Sequence, residues 1–298
     1  MESRTPDSVA GAEDLIERSA KAFIAAIPQQ PEDDGYFGPA SITWRLAADL
    51  SAPVAGLRGL LMQALHPLAM AGVDQHSGWR RDPAGRLAAT SAYLATLTFG
   101  DRATADRAAA QVRRIHDHVR GTDPVTGRPY AAGDPALLLW VHVTFVDSGL
   151  AAARAFGTPP SNAEADAYIR ETRIYAELLG VPRDIIPADQ RGLAEYVRSV
   201  VPELMNTPAA EEAAGYLLDP PNMDPAVADL WQELRDAVLA VLPDWALDRY
   251  GYRPPPPLTA ERRDEIRGAL GMFDAVLLGE PGVLEARQRI TLRQRDVH

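Results

Sequence analysis

Hydrophobic residues recur at the three-to-four-residue period of an α-helix along most of the chain, and the alternation typical of strands is scarce. Helix start signals interrupt this pattern: Asp82-Pro83 and Asp134-Pro135 each place an aspartate at the cap position and a proline in the first turn. Ser161 and Glu164 have the spacing of a capping box, and Gly100 and Gly180 are typical helix ends. The sequence therefore predicts an all-α fold.

The predicted helices follow one another with short connections, and no repeat or obvious linker separates them. We therefore expect a single all-α domain over residues 1–298, with a core at about 35–182 and C-terminal helices at 189–298 packing on it. Pro67 should kink an apolar segment and free a backbone carbonyl near His66. The predicted segments span about 12–27, 41–50, 57–71, 82–99, 104–120, 134–156, 161–180, 189–205, 209–218, 225–241 and 259–278.

Composition excludes several kinds of site. The chain has no cysteine, which excludes disulfides, thiolate-bound haem and iron–sulfur clusters. Its net charge of -11 gives no electrostatic reason to expect nucleic acid as a partner. No uninterrupted apolar run reaches the ~18 residues that a membrane span needs, and the N-terminus shows no export signal. We therefore expect a cytoplasmic protein without a membrane span.

The segment from Gln111 to Gly121 carries the most informative spacing. On a helix, residues three and four apart share a face, so Arg113, His116 and Arg120 are predicted to line up. Haem b needs a neutral imidazole for its iron, apolar walls for the porphyrin and cations for its propionates. The alternative is an amphipathic helix with a core histidine and solvated arginines. Spacing alone favours that alternative.

Four further side chains are candidates for a pocket. His142 lies among apolar residues, so it is either a core histidine with a satisfied hydrogen bond or part of a haem pocket. The same two interpretations apply to His66, next to Pro67. Arg86 and Thr90 are four residues apart on one predicted helix. They are either surface residues or a polar pair that faces a ligand.

An ordered series of short motifs runs through about residues 35–182. The series consists of Gly38 to Arg45, Leu60 to Pro67, His76-Ser77, Asp82-Pro83, Arg86, Thr90, Arg113 to His116, Val119 to Gly121, Trp140 to His142 and Gly180 to Pro182. It resembles the latex-clearing-protein and MpaB-type haem oxygenases. The resemblance implies a globin-like helical core with haem b, whose proximal iron ligand would be His116.

The resemblance also implies roles for residues around the haem. Arg113 and Arg120 match the arginines that flank the ligand, and Trp44-Arg45 would be a second anchor for the cofactor. Arg86 and Thr90 match a pocket arginine and threonine, where they would donate hydrogen bonds to oxygen as it gains negative charge. His142 matches a further pocket histidine, and His66 is expected near the haem. Asp74 is the position-based candidate for a catalytic carboxylate.

The family uses dioxygen to cleave carbon–carbon double bonds of isoprenoid chains, so a small apolar alkene and dioxygen are the expected partners, with an external electron donor possible. Rubber-cleaving relatives carry a lysine before the matching threonine, where this chain has Ala89, and Lys21 is its only lysine. We therefore expect no lysine on the iron. Peroxide-driven or hydroxylating chemistry in a biosynthetic pathway, or a haem sensor or carrier without turnover, remain alternatives. The sequence does not set the oligomeric state.

Overall fold

The structure, a computed structural model, describes residues 18, 21, 24–27, 31–221, 223, 225–279 and 288–291. Helices dominate these residues, and one short two-stranded antiparallel sheet interrupts them, which confirms the predicted all-α class. The elements are α1 Ile42–Ala47, α2 Ala52–Ala64, α3 Pro67–His76, α4 Pro83–Phe99, α5 Arg102–His116, β1 Arg120–Thr122, β2 Pro129–Ala131, α6 Pro135–Phe156, α7 Asn162–Leu179, α8 Gln190–Val200, α9 Pro208–Leu218, α10 Pro225–Val241, α11 Asp244–Tyr250 and α12 Ala260–Gly279.

The start signals act as predicted. The Asp82 carboxylate accepts the Gly85 backbone N–H at 3.0 Å, and the Asp134 carboxylate accepts that of Ala136 at 2.8 Å. Ser161 opens α7 with a complete capping box. Each cap supplies an acceptor for a backbone N–H that has no partner inside the helix, so each helix begins where its sequence signal lies.

Three predicted segments have different ends. Pro67 does not kink one long helix but separates α2 from α3, and the freed carbonyl of Leu65 accepts the Met205 N–H at 2.8 Å. Val200 ends α8, and Pro202 lies in the 3-10 turn that follows. The predicted helix at 12–27 falls mostly outside the described residues.

The third segment whose end differs is the predicted helix at 104–120, which ends early at His116. Residues 120–122 instead pair with 129–131, with Gly121 opposite Tyr130. Tyr130 is buried against α3, where its ring contacts the position of Gly72. Burial of this ring and pairing of the strand backbone stabilise a hairpin where the helical pattern alone would continue.

The helix α6 forms the centre of the fold and packs along α2. Its buried side chains include Trp140, Val143 and Phe156. By length and composition α6 could also cross a membrane, but 67% of its most apolar window is buried inside the fold. That burial is typical of a core helix.

Candidate functional site

A cavity of about 760 Å³ lies between α2, α3, α4, α5, α6, α7 and α9, with part of the hairpin at one side. Its volume is within the ~300–1,000 Å³ range of cofactor and small-molecule sites. Most of the side chains around it are apolar, among them Leu60, Met70, Trp79, Phe145 and Leu217. Such walls suit a large apolar ligand.

His116, the last residue of α5, lines this cavity. Its Nδ1 atom is buried and has no hydrogen-bond partner among the described residues. Burial lowers the pKa of His116, and the Arg86 guanidinium lowers it further, whereas Asp117 raises it. The imidazole is therefore held in the neutral form that can bind a metal.

Arg86 and Thr90 lie on α4 and both line the cavity. The Arg86 guanidinium donates to the Thr90 Oγ1 at 2.8 Å, and this hydroxyl donates to the Arg86 carbonyl at 3.0 Å. The Arg86 side chain is exposed, whereas the surrounding helices desolvate it enough to lower its pKa. Among the described residues, Thr90 is its hydrogen-bond partner and no carboxylate forms an ion pair with it.

His142 lines the cavity from α6 and is only 7% exposed. Burial lowers its pKa to about 4, and the Arg173 guanidinium lowers it as well. The ring is therefore neutral at neutral pH. Of the nine predicted site residues, the structure brings His116, His142, Arg86 and Thr90 to one cavity.

Arg113 and Arg120 do not line this cavity. Arg113 is exposed, and together with His116 it lines a smaller surface pocket of about 280 Å³. Arg120 follows the end of α5 in β1, where it is exposed and donates to the Asp117 carbonyl. The predicted common helix face of Arg113, His116 and Arg120 is therefore wrong for Arg120, because the helix has already ended.

The other predicted anchors also lie away from the cavity lining. Trp44 is fully buried and packs edge-on against Phe99, with 4.9 Å between the ring centroids. Arg45 forms an ion pair with Glu164 at 2.8 Å on the surface. His66 is buried as the cap residue of α3, 6.3 Å from Trp140 between ring centroids. Their predicted contact with a cofactor stays a prediction.

Asp74, the position-based candidate for a carboxylate, pairs with Arg80, which in turn pairs with Glu212 at 2.7 Å. This ion-pair group joins α3 to α9. Asp74 also accepts the Trp79 indole N–H at 3.4 Å. The carboxylate is thus engaged outside the cavity lining.

Four tyrosines that the sequence reasoning did not single out line the cavity: Tyr93, Tyr130, Tyr175 and Tyr216. The Tyr175 hydroxyl lies 2.6 Å from the Thr98 Oγ1. The Tyr93 hydroxyl is buried and has no hydrogen-bond partner among the described residues. Tyr93 follows Thr90 by three residues and Arg86 by seven, so the spacing on α4 could have placed it on their face.

The family model for "ER-bound oxygenase mpaB/B'/Rubber oxygenase, catalytic domain" matches residues 44–275, more than half of the chain. The matched span includes every cavity residue discussed above and extends through α11 into α12. Comparisons with curated proteins and with solved structures found no match.

Proposed function

Because the chain belongs to the family of the ER-bound oxygenase mpaB/B' and rubber oxygenase catalytic domains, we propose that it is a haem b-dependent oxygenase. Its substrates would be dioxygen and a small apolar molecule of the alkene or isoprenoid class. The observation that carries the proposal is the position of His116, a neutral imidazole with an unpartnered buried nitrogen, on the wall of a large apolar cavity. One imidazole from the protein would be enough to hold a haem iron, because the porphyrin would supply the other nitrogen ligands.

The residues around the cavity suit this cofactor. His116 would be the axial ligand, and the apolar walls would hold the porphyrin. Arg113 would pair with a propionate at the surface pocket that His116 also lines. Arg45 already pairs with Glu164, so the structure gives no support for it as an anchor.

When bound, haem supplies the oxygen chemistry, while the protein positions the reactants. Arg86 provides N–H donors toward the negative charge that develops on oxygen. The only proton of the Thr90 hydroxyl is directed to the Arg86 carbonyl, so Thr90 orients the guanidinium by accepting its N–H. Ala89 lines the cavity with a methyl group, which leaves space beside this pair.

The absorption spectrum of the full-length protein, oxidised and then reduced, tests the cofactor. We expect a Soret band and one haem per chain, and His116→Ala should lose most of both. His118→Ala is the matched control, because His118 is an exposed histidine that contacts the Arg114 carbonyl at 2.7 Å and does not line the cavity. A normal band and full haem content in His116→Ala would contradict the ligand assignment.

Turnover assays separate the reaction types. Product formation that needs dioxygen and no added peroxide would support an oxygenase. Product formation only with peroxide would instead indicate a peroxidase or peroxygenase. Reversible gas binding without turnover would indicate a sensor or carrier.

We further propose a cytoplasmic location. The burial of α6 inside the fold supports its role as a core helix, although its length and composition could suit a membrane. Cell fractionation tests this part of the proposal, and recovery of the full-length protein in washed membranes would contradict it.

A further inference from the structure

The Tyr93 hydroxyl is a buried hydrogen-bond donor that takes no part in the proposed chemistry. Its hydroxyl has no partner among the described residues, and its ring lines the cavity. A buried hydroxyl without a hydrogen bond costs free energy, so such groups are rare and call for a functional explanation. Two other cavity tyrosines have hydroxyl partners: the Tyr175 hydroxyl lies 2.6 Å from the Thr98 Oγ1, and the Tyr130 hydroxyl donates to the Gln75 Oε1 at 2.7 Å.

The packing of α4 against α5 locates the Tyr93 hydroxyl. A two-residue link joins these contacting helices, and Tyr93 packs against the cluster of Leu97, Ala105 and Ala109. Arg113, one turn closer to His116 along α5, opposes the rise in the pKa of Tyr93 that burial causes. Side chains on a helix lean toward its N-terminus, which for α4 is the direction of Ala89 and Arg86. The phenol therefore lies on the His116 side of its own backbone.

Polarity is unevenly distributed around the cavity. Arg86, Thr90 and Tyr93 follow one face of α4, and His116 lies on the neighbouring helix. The walls from α2, α3 and α9 contribute mostly apolar side chains, including Leu60, Met70 and Leu217. The Thr90 proton is directed to the Arg86 carbonyl, and the proposed chemistry assigns the remaining N–H groups of Arg86 to oxygen. The Tyr93 hydroxyl is therefore the neutral donor on this face that remains for the substrate.

We propose that Tyr93 is a substrate-positioning residue, whose hydroxyl donates a hydrogen bond to an acceptor oxygen of an otherwise apolar substrate. The substrate class is thus an apolar molecule with a carbonyl or similar acceptor oxygen near its reactive end, and not a pure hydrocarbon. The apolar part occupies the cavity toward α2, α3 and α9. The reaction of such a substrate rests on the proposed function, whereas its binding to the Tyr93 hydroxyl does not.

Calorimetric titration of the full-length protein tests the inference with two probes, a medium-chain methyl ketone and the terminal alkene of the same chain length. The ratio of their affinities in the wild type is compared with the ratio in Tyr93→Phe, so that their different solubilities cancel. We expect the substitution to lower the preference for the ketone about tenfold, which corresponds to ~1.4 kcal/mol. An unchanged ratio would overturn the proposal, and it is the result expected if water alone satisfied the phenol.

Thermal unfolding distinguishes positioning from a structural role. Tyr93→Phe removes a hydroxyl that has no partner among the described residues, so its Tm should stay the same or rise. Tyr250→Phe is the matched control, because the buried Tyr250 hydroxyl donates to the Leu61 carbonyl at 2.7 Å and lies outside the cavity lining. Its Tm should fall by about 2 °C while the probe ratio stays unchanged. A fall in Tm of Tyr93→Phe as large as that of Tyr250→Phe would contradict the proposal.

The same samples separate this inference from the proposed function. If the protein has no Soret band but its ketone preference depends on Tyr93, the haem proposal is refuted and the substrate class is retained. If the protein binds haem and turns over with dioxygen but its ketone preference does not depend on Tyr93, the proposed function is retained and the role of Tyr93 is refuted.

Discussion

Two polar atoms around the cavity are buried without a hydrogen-bond partner among the described residues. They are the His116 Nδ1 and the Tyr93 hydroxyl. Each such group lowers the stability of the fold unless a ligand satisfies it. Arg86 lies on the same helix as Tyr93, is exposed and donates to Thr90. The proposed function therefore takes the wall formed by α4 and α5 as the reactive side of the cavity.

Arg86→Met separates stability from activity, because methionine keeps an extended side chain and removes the charge. We expect the free energy of unfolding to change by no more than about 0.5 kcal/mol, because the Arg86 side chain is exposed and loses only its hydrogen bond to Thr90. Turnover should fall by about 10²–10³-fold through the loss of a positioned donor. Chemical denaturation and a turnover assay measure the two effects.

Arg107→Met is the control for this change, because Arg107 is an exposed arginine on α5 that donates to the Thr104 Oγ1 at 2.9 Å and does not line the cavity. It should alter neither quantity beyond about 0.5 kcal/mol. Full turnover in Arg86→Met would exclude a catalytic role for the guanidinium. A loss of stability above about 2 kcal/mol would show that Arg86 acts mainly as a structural residue.

At the scale of helices, Arg58 joins elements that are far apart in sequence. This arginine of α2 is 4% exposed, pairs with Asp147 at 2.8 Å and donates to the Ser148 Oγ at 2.7 Å, both on α6. It also donates to the Val241 carbonyl at the end of α10 at 2.8 Å. The guanidinium thus fixes α6, which carries His142, relative to α2 and α10.

Arg58→Met should lower the free energy of unfolding by about 3 kcal/mol, because the Asp147, Ser148 and Val241 partners lose their donor together. Asp147→Asn should cost about 1 kcal/mol or less, because that carboxylate is 32% exposed and solvent screens the pair. Urea denaturation measures both losses. Equal losses would mean that the ion pair, and not the buried donor network, stabilises this junction.

Helix starts were predictable from the sequence, whereas one helix end near the site was not. Asp82 and Asp134 act on backbone groups two or three residues away, so their effect is visible in the local pattern. The end of α5 depends on pairing with residues 129–131 and on burial of Tyr130 against α3. Those contacts come from outside the segment, so the helical pattern wrongly extended to Arg120.

At the scale of the whole molecule, the cavity is enclosed by helices from both halves of the chain. The sequence resemblance covered about residues 35–182, whereas the family match extends to residue 275. Consistent with the longer span, α9 contributes Ala213, Tyr216 and Leu217 to the cavity wall. Helix α9, from the C-terminal half of the chain, therefore forms part of the cavity wall.

A ligand that fills this cavity should stabilise the entire fold, because it binds the folded state alone. Loading haem-free protein with haem at 100 times its Kd adds about 2.7 kcal/mol, which should raise the Tm by about 5–10 °C. His116→Ala should lose most of that increase, while His118→Ala should keep it. Scanning calorimetry with and without haem measures the shift, and equal Tm values in the wild type would contradict haem binding in the cavity.

The sequence by itself determined the helical class, the starts of the main helices and the one-turn spacing of Arg86 and Thr90. Only the tertiary structure decided that Arg86 binds Thr90 at the cavity and lies near His116. It also decided that the Tyr93 hydroxyl has no partner among the described residues and that Arg45 pairs with Glu164. The physical reason is the distance along the chain over which each kind of interaction acts. Caps, propensities and one-turn pairs act within a few residues, whereas a cavity and its electrostatics depend on the sum of many weak packing contacts between distant segments.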